Sequence, residues 1–416
     1  MDDLVKIDSS KPKLFLLLKK MLPKNQLSKS ISRHLPLAIS ARRHIHTHPD
    51  LSNHEQKTAQ FIFEQLRTLG LKPKYYINKT GVAARIVNGS GPTVALRADI
   101  DALPVTEETK LPFSSVNQGV MHACGHDMHA GILIGAAATL VDLKEYWQGT
   151  VAVMFQPAEE SEPGGAVGMI AEGAFPADAL AVFGLHVSTD YTAGTVGIKP
   201  GADYAAILPF EVRVSGKGGH GATPEKCIDP IRCAVDIIAA LYALVPFDPS
   251  KNIPKQSVLT VGSVHAGKKH NVIPDTAVFC GTLRTLTDAQ LAIVGKKLLT
   301  TAQKVARAHG CTVAFELPGS YPAGYNDPRL SARLLKTFEE YLGAEKVITR
   351  REPVFLAEDF SYYQKKTRGV YAHLGVKSSK KILTGDIHTA TFNPDERAIA
   401  TGMALHAGFV LDLLGS

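Results

Sequence analysis

Eight consecutive residues, His122-Ala123-Cys124-Gly125-His126-Asp127-Met128-His129, place a thiol, three imidazoles and a carboxylate side by side. Thiolate and imidazole are the usual ligands of zinc and its transition-metal neighbours. No helix or strand needs this composition for its own stability. Gly125 leaves the backbone free to turn, so that Cys124 and His126 can point at one ion. Downstream lie Gln156-Pro157-Ala158-Glu159-Glu160, then Gly184-Leu185-His186-Val187, then Ile387-His388. Together these read as a metal centre built from scattered loops, with a spare carboxylate beside it.

Taken singly, each piece has a plainer reading. Glu159-Glu160 alone reads as a solvated acidic pair, and His186 alone as a core histidine. Their setting argues otherwise. Both follow apolar, β-branched runs, Thr150 to Phe155 and Ala181 to Leu185, which read as buried parallel strands. Ligand sites in open α/β sheets gather beyond the carboxyl ends of strands.

The elements that would carry these residues can be read in order. Residues 35–70 read as helix broken at Pro49 and ended by Gly70. Thr93 to Ala98 reads as a strand delivering Asp99 and Asp101, and Ala130 to Leu143 as a buried helix. This is the α/β pattern of helices around a mostly parallel sheet. The pattern then changes. A strand (207–214), a helix (228–244), two strands (257–264 and 276–283), a helix (288–309, with Thr287 as N-cap) and a strand (311–317) follow. That β-α-β-β-α-β order is the ferredoxin-like split motif, expected as an inserted domain. Helix 330–343 resumes the first domain. The expected borders are a basic N-terminal extension (1–34), a catalytic domain in two parts (35–200 and 319–416) and the insert (201–318).

The motifs that run through the chain resemble the M20 metallopeptidase superfamily, above all its amidohydrolase branch of hippurate hydrolases, N-acyl-amino-acid amidohydrolases and auxin-conjugate hydrolases. They are Arg43-His44-Ile45-His46, Leu96-Arg97-Ala98-Asp99-Ile100-Asp101, the Cys124 to Asp127 element, Gln156 to Glu160, Gly184-Leu185-His186, Ser215 to Pro224, Asn271 to Asp275, Ala357-Glu358-Asp359-Phe360 and His388. The resemblance implies a homodimeric, metal-dependent amidohydrolase that cleaves N-acyl amino acids. It implies two divalent ions, manganese or zinc with cobalt or nickel as further options, held by Cys124, His126, Glu160, His186 and His388, the thiolate bridging. Five protein ligands for two ions leave open positions, as catalytic sites require. Glu159 is implied as general base and Asp101 as the carboxylate that orients the site. His220 is implied as the group that stabilises the oxyanion, arriving in dimeric relatives from the partner's inserted domain. Asn271 and Arg284 are implied contacts to the oxyanion or to a substrate carboxylate. Two positions depart from the wider pattern: Asp99 stands where other branches have a histidine ligand, and the His388 segment lacks the usual proline. A dipeptidase or carboxypeptidase of the same superfamily is the alternative. A silent conjugate-binding relative is a third reading, against which the retained Glu159 argues.

Composition sets the outer limits. A chain of 416 residues has room for two domains. Net charge is +7, but Ser9 to Pro49 holds nine Lys and Arg and no Asp or Glu. The basic character therefore belongs to the N-terminal segment and is not a nucleic-acid-binding surface. Within it, Leu14 to Leu18 is too short for a secretory signal. It reads as part of a solvated leader, with a transit peptide or surface-seeking amphipathic helix as alternatives. Apolar runs fall short of a membrane span. Five scattered cysteines suggest a reducing compartment, hence the cytoplasm.

Overall fold

The computed structural model describes residues 24–246, 257–378 and 385–415. The Leu14 to Leu18 segment lies outside them. Eight strands form the larger sheet, in the order Lys74–Tyr76, Gly81–Asn88, Gly149–Gln156, Thr93–Asp99, Ala179–Thr192, Arg368–Lys377, Val196–Ile198 and Val347–Thr349. Its four central strands, from Gly149–Gln156 to Arg368–Lys377, run parallel to one another. Such strands are apolar on both faces because both are covered, and every residue of Thr93–Asp99 is buried.

Alternation along the strands assigns the two faces. Val94, Leu96, Val151, Val153, Phe183, Val370 and Leu374 join the main core, with helices Lys24–Thr47, His126–Asp142, Pro328–Leu342 and Ala398–Leu414. Ala95, Ala152, Met154, Val182 and Tyr371 join a smaller core under the short helices Gly165–Ala171 and Ser361–Gln364. Arg97 has the parity of this second face, so a charge lies buried in a central strand.

The second sheet has four antiparallel strands, ordered Ser257–Ala266, Thr276–Thr285, Ala206–Ser215 and Thr312–Glu316. Helices Pro230–Leu244 and Asp288–Ala308 share its core of Phe210, Val212, Ile237, Leu241, Phe279 and Leu298. The chain order is the expected β-α-β-β-α-β. Thr287 caps the second helix by accepting from Gln290 N–H. The first begins at Pro230, two residues later than expected, because the Asp229 side chain accepts from Ile231 and Arg232 N–H and proline suits the first helical position.

Two expectations need correction. The first helix already covers Lys24–Thr47 rather than opening at residue 35, so residues 24–34 are not part of a solvated extension. Leu27 and Ile31 are buried with Ala38, Ala41 and Ile45. Ser30 Oγ donates to Asp142 Oδ2 at 2.9 Å, tying this turn to helix His126–Asp142. Pro36 sits inside the helix on its exposed side, and the surrounding lysines and serines hide the apolar stripe. The second correction concerns His186. Its strand does not end at Leu185 but continues to Thr192. The neighbour Thr93–Asp99 pairs only as far as Gly184, so His186 stands two residues past that pairing on a strand still held by Arg368–Lys377.

Leu27→Ala tests whether residues 24–34 are packed as part of the helix. Truncating a buried leucine costs about 2–5 kcal/mol, whereas a solvated extension would respond within about 0.5 kcal/mol. The first outcome is expected from chemical denaturation.

Candidate metal centre

The Cys-Gly-His turn sits where helix His126–Asp142 begins. Gly125 is its N-cap, with φ +87°. A Cβ there would stand 2.6 Å from Val187 Cγ2, so the turn needs glycine for its conformation and for its space. The first helical turn is anchored from behind. Arg42, fully buried, donates from Nε to Asp127 Oδ2 at 2.7 Å, and His46 Nδ1 meets the same oxygen at 2.9 Å.

The five expected ligand residues converge. Cys124 Sγ lies 3.3 Å from His186 Nε2 and 3.3 Å from His388 Nε2. His388 Nε2 is 3.2 Å from Glu160 Oε1, and His126 Nε2 is 4.0 Å from the same oxygen. Two donors bound to one ion stand roughly 3–4 Å apart, given metal–ligand distances of about 2.0–2.3 Å. Cys124 belongs both to a group with His126 and His186 and to a group with Glu160 and His388. It is therefore one of the side chains that two neighbouring ions could share; His126 and Glu160 also stand in more than one such group.

Each imidazole is turned by its other nitrogen. His126 Nδ1 lies 3.0 Å from Asp101 O and 3.1 Å from Asp101 Oδ1, so it carries the proton and leaves Nε2 facing the cluster. That Nε2 is buried with no hydrogen-bond partner. His186 Nδ1 donates to Val187 O at 2.7 Å, which likewise frees Nε2. Asp101 Oδ2 also accepts from Ser52 Oγ at 2.7 Å and Glu160 N–H at 3.0 Å. His129 stands beside the cluster but is fully engaged: Val187 N–H donates to Nε2, and Nδ1 donates to Asp99.

Charge makes the same point. Burial pushes the Cys124 thiol well up, and Glu160 and Glu159 push it further. Glu159 is also driven well above the usual range, by burial and by Glu358, Glu160 and Asp359. For His126, burial acts downward, but Asp99 and Asp101 prevail and raise it to about 10. The cluster is thus a buried set of donors with an excess of negative charge, which divalent cations would offset. The residues present fit a pair of such ions.

A cavity of 410 Å³ opens onto this cluster, lined by Cys124, Glu159, Glu160, His186 and His388 together with Tyr204, Ile207, Tyr321, Leu356 and Ile387. Glu162, Glu358 and Arg284 line it as well. Arg284 Nη1 donates to Phe355 O at 2.8 Å. His220 and Asn271 are elsewhere: both are exposed, and neither lines the cavity. They are neighbours of each other, on the paired strands Gly219–His220 and Val272–Ile273 and the turn beside them. Ala222 N–H donates to His220 Nδ1 at 3.0 Å, so neutral His220 presents an Nε2–H donor outward.

Sequence reasoning assigned no role to several buried groups of the site. Arg97 donates to Asp99 Oδ2 (2.5 Å), Asp359 Oδ1 (2.7 Å) and Gln156 Oε1 (3.0 Å), and pairs with Glu358 (2.9 Å). Its signal was legible, as a charge inside an apolar strand. Glu55, buried, accepts Ala158 N–H at 2.8 Å. Tyr321 OH donates to Glu159 O at 2.8 Å. Glu55 sits in an ordinary polar run and Tyr321 in a Pro- and Gly-containing loop, and neither gave a signal.

The family model described as peptidase family M20/M25/M40 matches residues 95–412. The chain belongs to this family. It is 36% identical over 376 residues to thermostable carboxypeptidase 1 of Saccharolobus solfataricus, covering 89% of this chain and 93% of the relative. It is 38% identical over 365 residues to N-acetyl-L-cysteine deacetylase of Bacillus subtilis, covering 87% and 84%. Among solved structures, the Bacillus subtilis YXEP protein, a dinuclear metal-binding peptidase of the M20 family, superposes with a TM-score of 0.78 at 32% identity, covering 92% of this chain and 99% of that one. This M20 chain is accordingly a metal-dependent hydrolase of amide bonds that binds divalent metal. Among its described residues, no helix is long and apolar enough to cross a membrane.

Cys124→Ala is expected to lose both metal and activity, since it removes the donor common to both groups. Elemental analysis of the purified variant checks this. Full metal stoichiometry would exclude Cys124 as a ligand.

Proposed function

We propose that the protein hydrolyses N-acyl or aryl-acyl amino acids at a dinuclear centre held by Cys124, His126, Glu160, His186 and His388, with manganese or zinc as the working metal. The observation that carries this reading is the cavity. Its floor is the donor cluster with Glu159, and much of the remaining wall is apolar. Arg284 is the one guanidinium or ammonium group among the described residues lining it. An apolar wall suits an acyl group, and a guanidinium suits the carboxylate of the amino acid. The deacetylase relative, named for an N-acetyl amino acid, supports the same substrate class.

Divalent ions bound there would polarise the scissile carbonyl and lower the pKa of a water toward about 7. Glu159 takes the proton of the attacking water and hands it to the departing amine nitrogen. Asp101 holds His126 in the tautomer that turns Nε2 to the site. His220 donates from Nε2–H to the oxyanion of the tetrahedral intermediate, and Asn271, beside it, is a second candidate contact. Because His220 and Asn271 lie outside the cavity of their own chain, residues 201–318 would act as a lid and dimerisation unit. The pair would be delivered by closure or from the partner of a homodimer.

A panel of N-acetyl, N-benzoyl and N-succinyl amino acids beside unblocked dipeptides tests the substrate class. Turnover of the acylated compounds is expected. Exclusive turnover of dipeptides would favour a peptidase, the activity named for the carboxypeptidase relative.

Glu159→Gln should keep its metal by elemental analysis and lose turnover; activity within tenfold of wild type would remove Glu159 from the role. His220→Ala should lower kcat at least about a hundredfold, the scale of an oxyanion group, with metal content unchanged. Mixing these two inactive variants under confirmed subunit exchange distinguishes the routes. Partial recovery means delivery from the partner, and no recovery means closure within one chain.

A further inference from the structure

The chain passes between its two sheets through adjacent segments, and these segments are paired. Gly201–Ala202 pairs with Tyr325–Asn326, and Ile207 bridges Tyr321. At this crossing Tyr321 is 5% exposed, and its carbonyl accepts from Ile207 N–H at 3.1 Å. One residue earlier, Ser320 O accepts from Tyr362 OH at 2.6 Å. The Tyr321 ring lines the catalytic cavity, and its hydroxyl reaches Glu159 O.

What that hydroxyl holds is the peptide unit joining Glu159 to Glu160. Its carbonyl accepts from Tyr321 OH at 2.8 Å, and its N–H donates to Asp101 Oδ2 at 3.0 Å. The peptide plane is clamped at both ends. Immediately before it, Ala158 has φ +52°, a left-handed conformation that a non-glycine residue keeps only when its surroundings impose it. Glu55 Oε1 holds Ala158 N–H at 2.8 Å, and Gly165 N–H holds Ala158 O at 3.1 Å. Two adjacent glutamates can do different work only if the plane between them is fixed. Its carbonyl belongs to Glu159 and its N–H to Glu160, so losing the clamp on the carbonyl loosens Glu159 more than Glu160.

We propose that Tyr321 is a positioning residue for catalysis: its hydroxyl fixes the Glu159–Glu160 peptide plane, so that Glu159 is aimed at the attacking water while Glu160 faces the cluster. This rests on Glu159 as general base. A base must stand within about 2.6–3.2 Å of the heavy atom whose proton it takes, so a small rotation of the plane lowers the rate without moving the substrate. Asp101 retains the other end of the plane and with it Glu160.

Tyr321→Phe removes one hydroxyl and keeps the ring in the cavity wall. With the best-hydrolysed compound of the N-acyl panel, kcat is expected to fall about tenfold, equivalent to about 1.4 kcal/mol. KM and metal content should stay at wild-type values, and the thermal midpoint should fall by only the few degrees that one lost buried hydrogen bond costs. In a Glu159→Asp background, whose shorter side chain has already lost the aim, the same change should alter kcat by less than about twofold. A kcat within twofold of wild type overturns the proposal. So does a loss carried by KM or metal content, or a full tenfold effect persisting beside Glu159→Asp. Should Glu159→Asp have no measurable rate, the split between kcat and KM decides. Failure of the underlying reading shows separately, as activity retained by Glu159→Gln.

Discussion

The architecture of this protein turns on an excess of buried negative charge at the ends of its central strands. Asp99, Asp101, Glu159, Glu358 and Asp359 are all buried, and Glu160 is largely so. Burying a carboxylate costs several kcal/mol unless it is paired. Arg97 meets part of the demand: from inside the sheet it touches Asp99, Glu358 and Asp359. One guanidinium does not balance six carboxylates. What is left appears as a Glu159 and a Cys124 driven well above their ordinary ranges and a His126 raised to about 10. Divalent cations would relieve all three at once, so metal binding and the integrity of the strand ends are one electrostatic problem.

Local backbone geometry serves the same end. Gly125, Ala158 and His388 all have positive φ, at +87°, +52° and +63°. Each lies at or beside a residue that faces the cluster. Such conformations are unfavourable for residues with a Cβ, and each non-glycine case is tied by hydrogen bonds. Ala158 has Glu55 and Gly165, and His388 N–H donates to Ala123 O at 2.7 Å. That last bond joins a loop near the C-terminal end to the Cys-Gly-His turn, over more than two hundred and fifty residues of sequence. Behind the turn, helix Lys24–Thr47 contributes Arg42 and His46 to the buried Asp127. The N-terminal helix is therefore part of the support of the site.

The division into two sheets separates two tasks. Parallel strands packed on both faces give the donor cluster a rigid floor. The antiparallel sheet has one apolar face, covered by its two helices, and a separate two-stranded ribbon of the same part of the chain, Gly219–His220 with Val272–Ile273, carries His220 on an exposed corner with Asn271 next to it. Catalysis in the proposed form needs that corner and that floor in one place. Two paired segments connect them, and Tyr321 stands where the segments cross.

How much of this was legible in the sequence follows from the range of each interaction. Strands and helices rest on local periodicity and caps, so the parallel core, the β-α-β-β-α-β order and the Thr287 cap could be read directly. The Cys-Gly-His turn was legible because its composition serves no structural purpose, and Glu160, His186 and His388 because they stand in recognisable motifs. The helix over residues 24–34 was not, because Leu27 and Ile31 reveal themselves only against a partner helix. The extent of the His186 strand was not, because a strand's end is set by its neighbours' register. Tyr321 and Glu55 lie 162 and 103 residues from the backbone they hold. By itself the sequence determined which chemistry was present. The tertiary structure decided which atoms meet, because a hydrogen bond between distant segments leaves no periodicity in either of them.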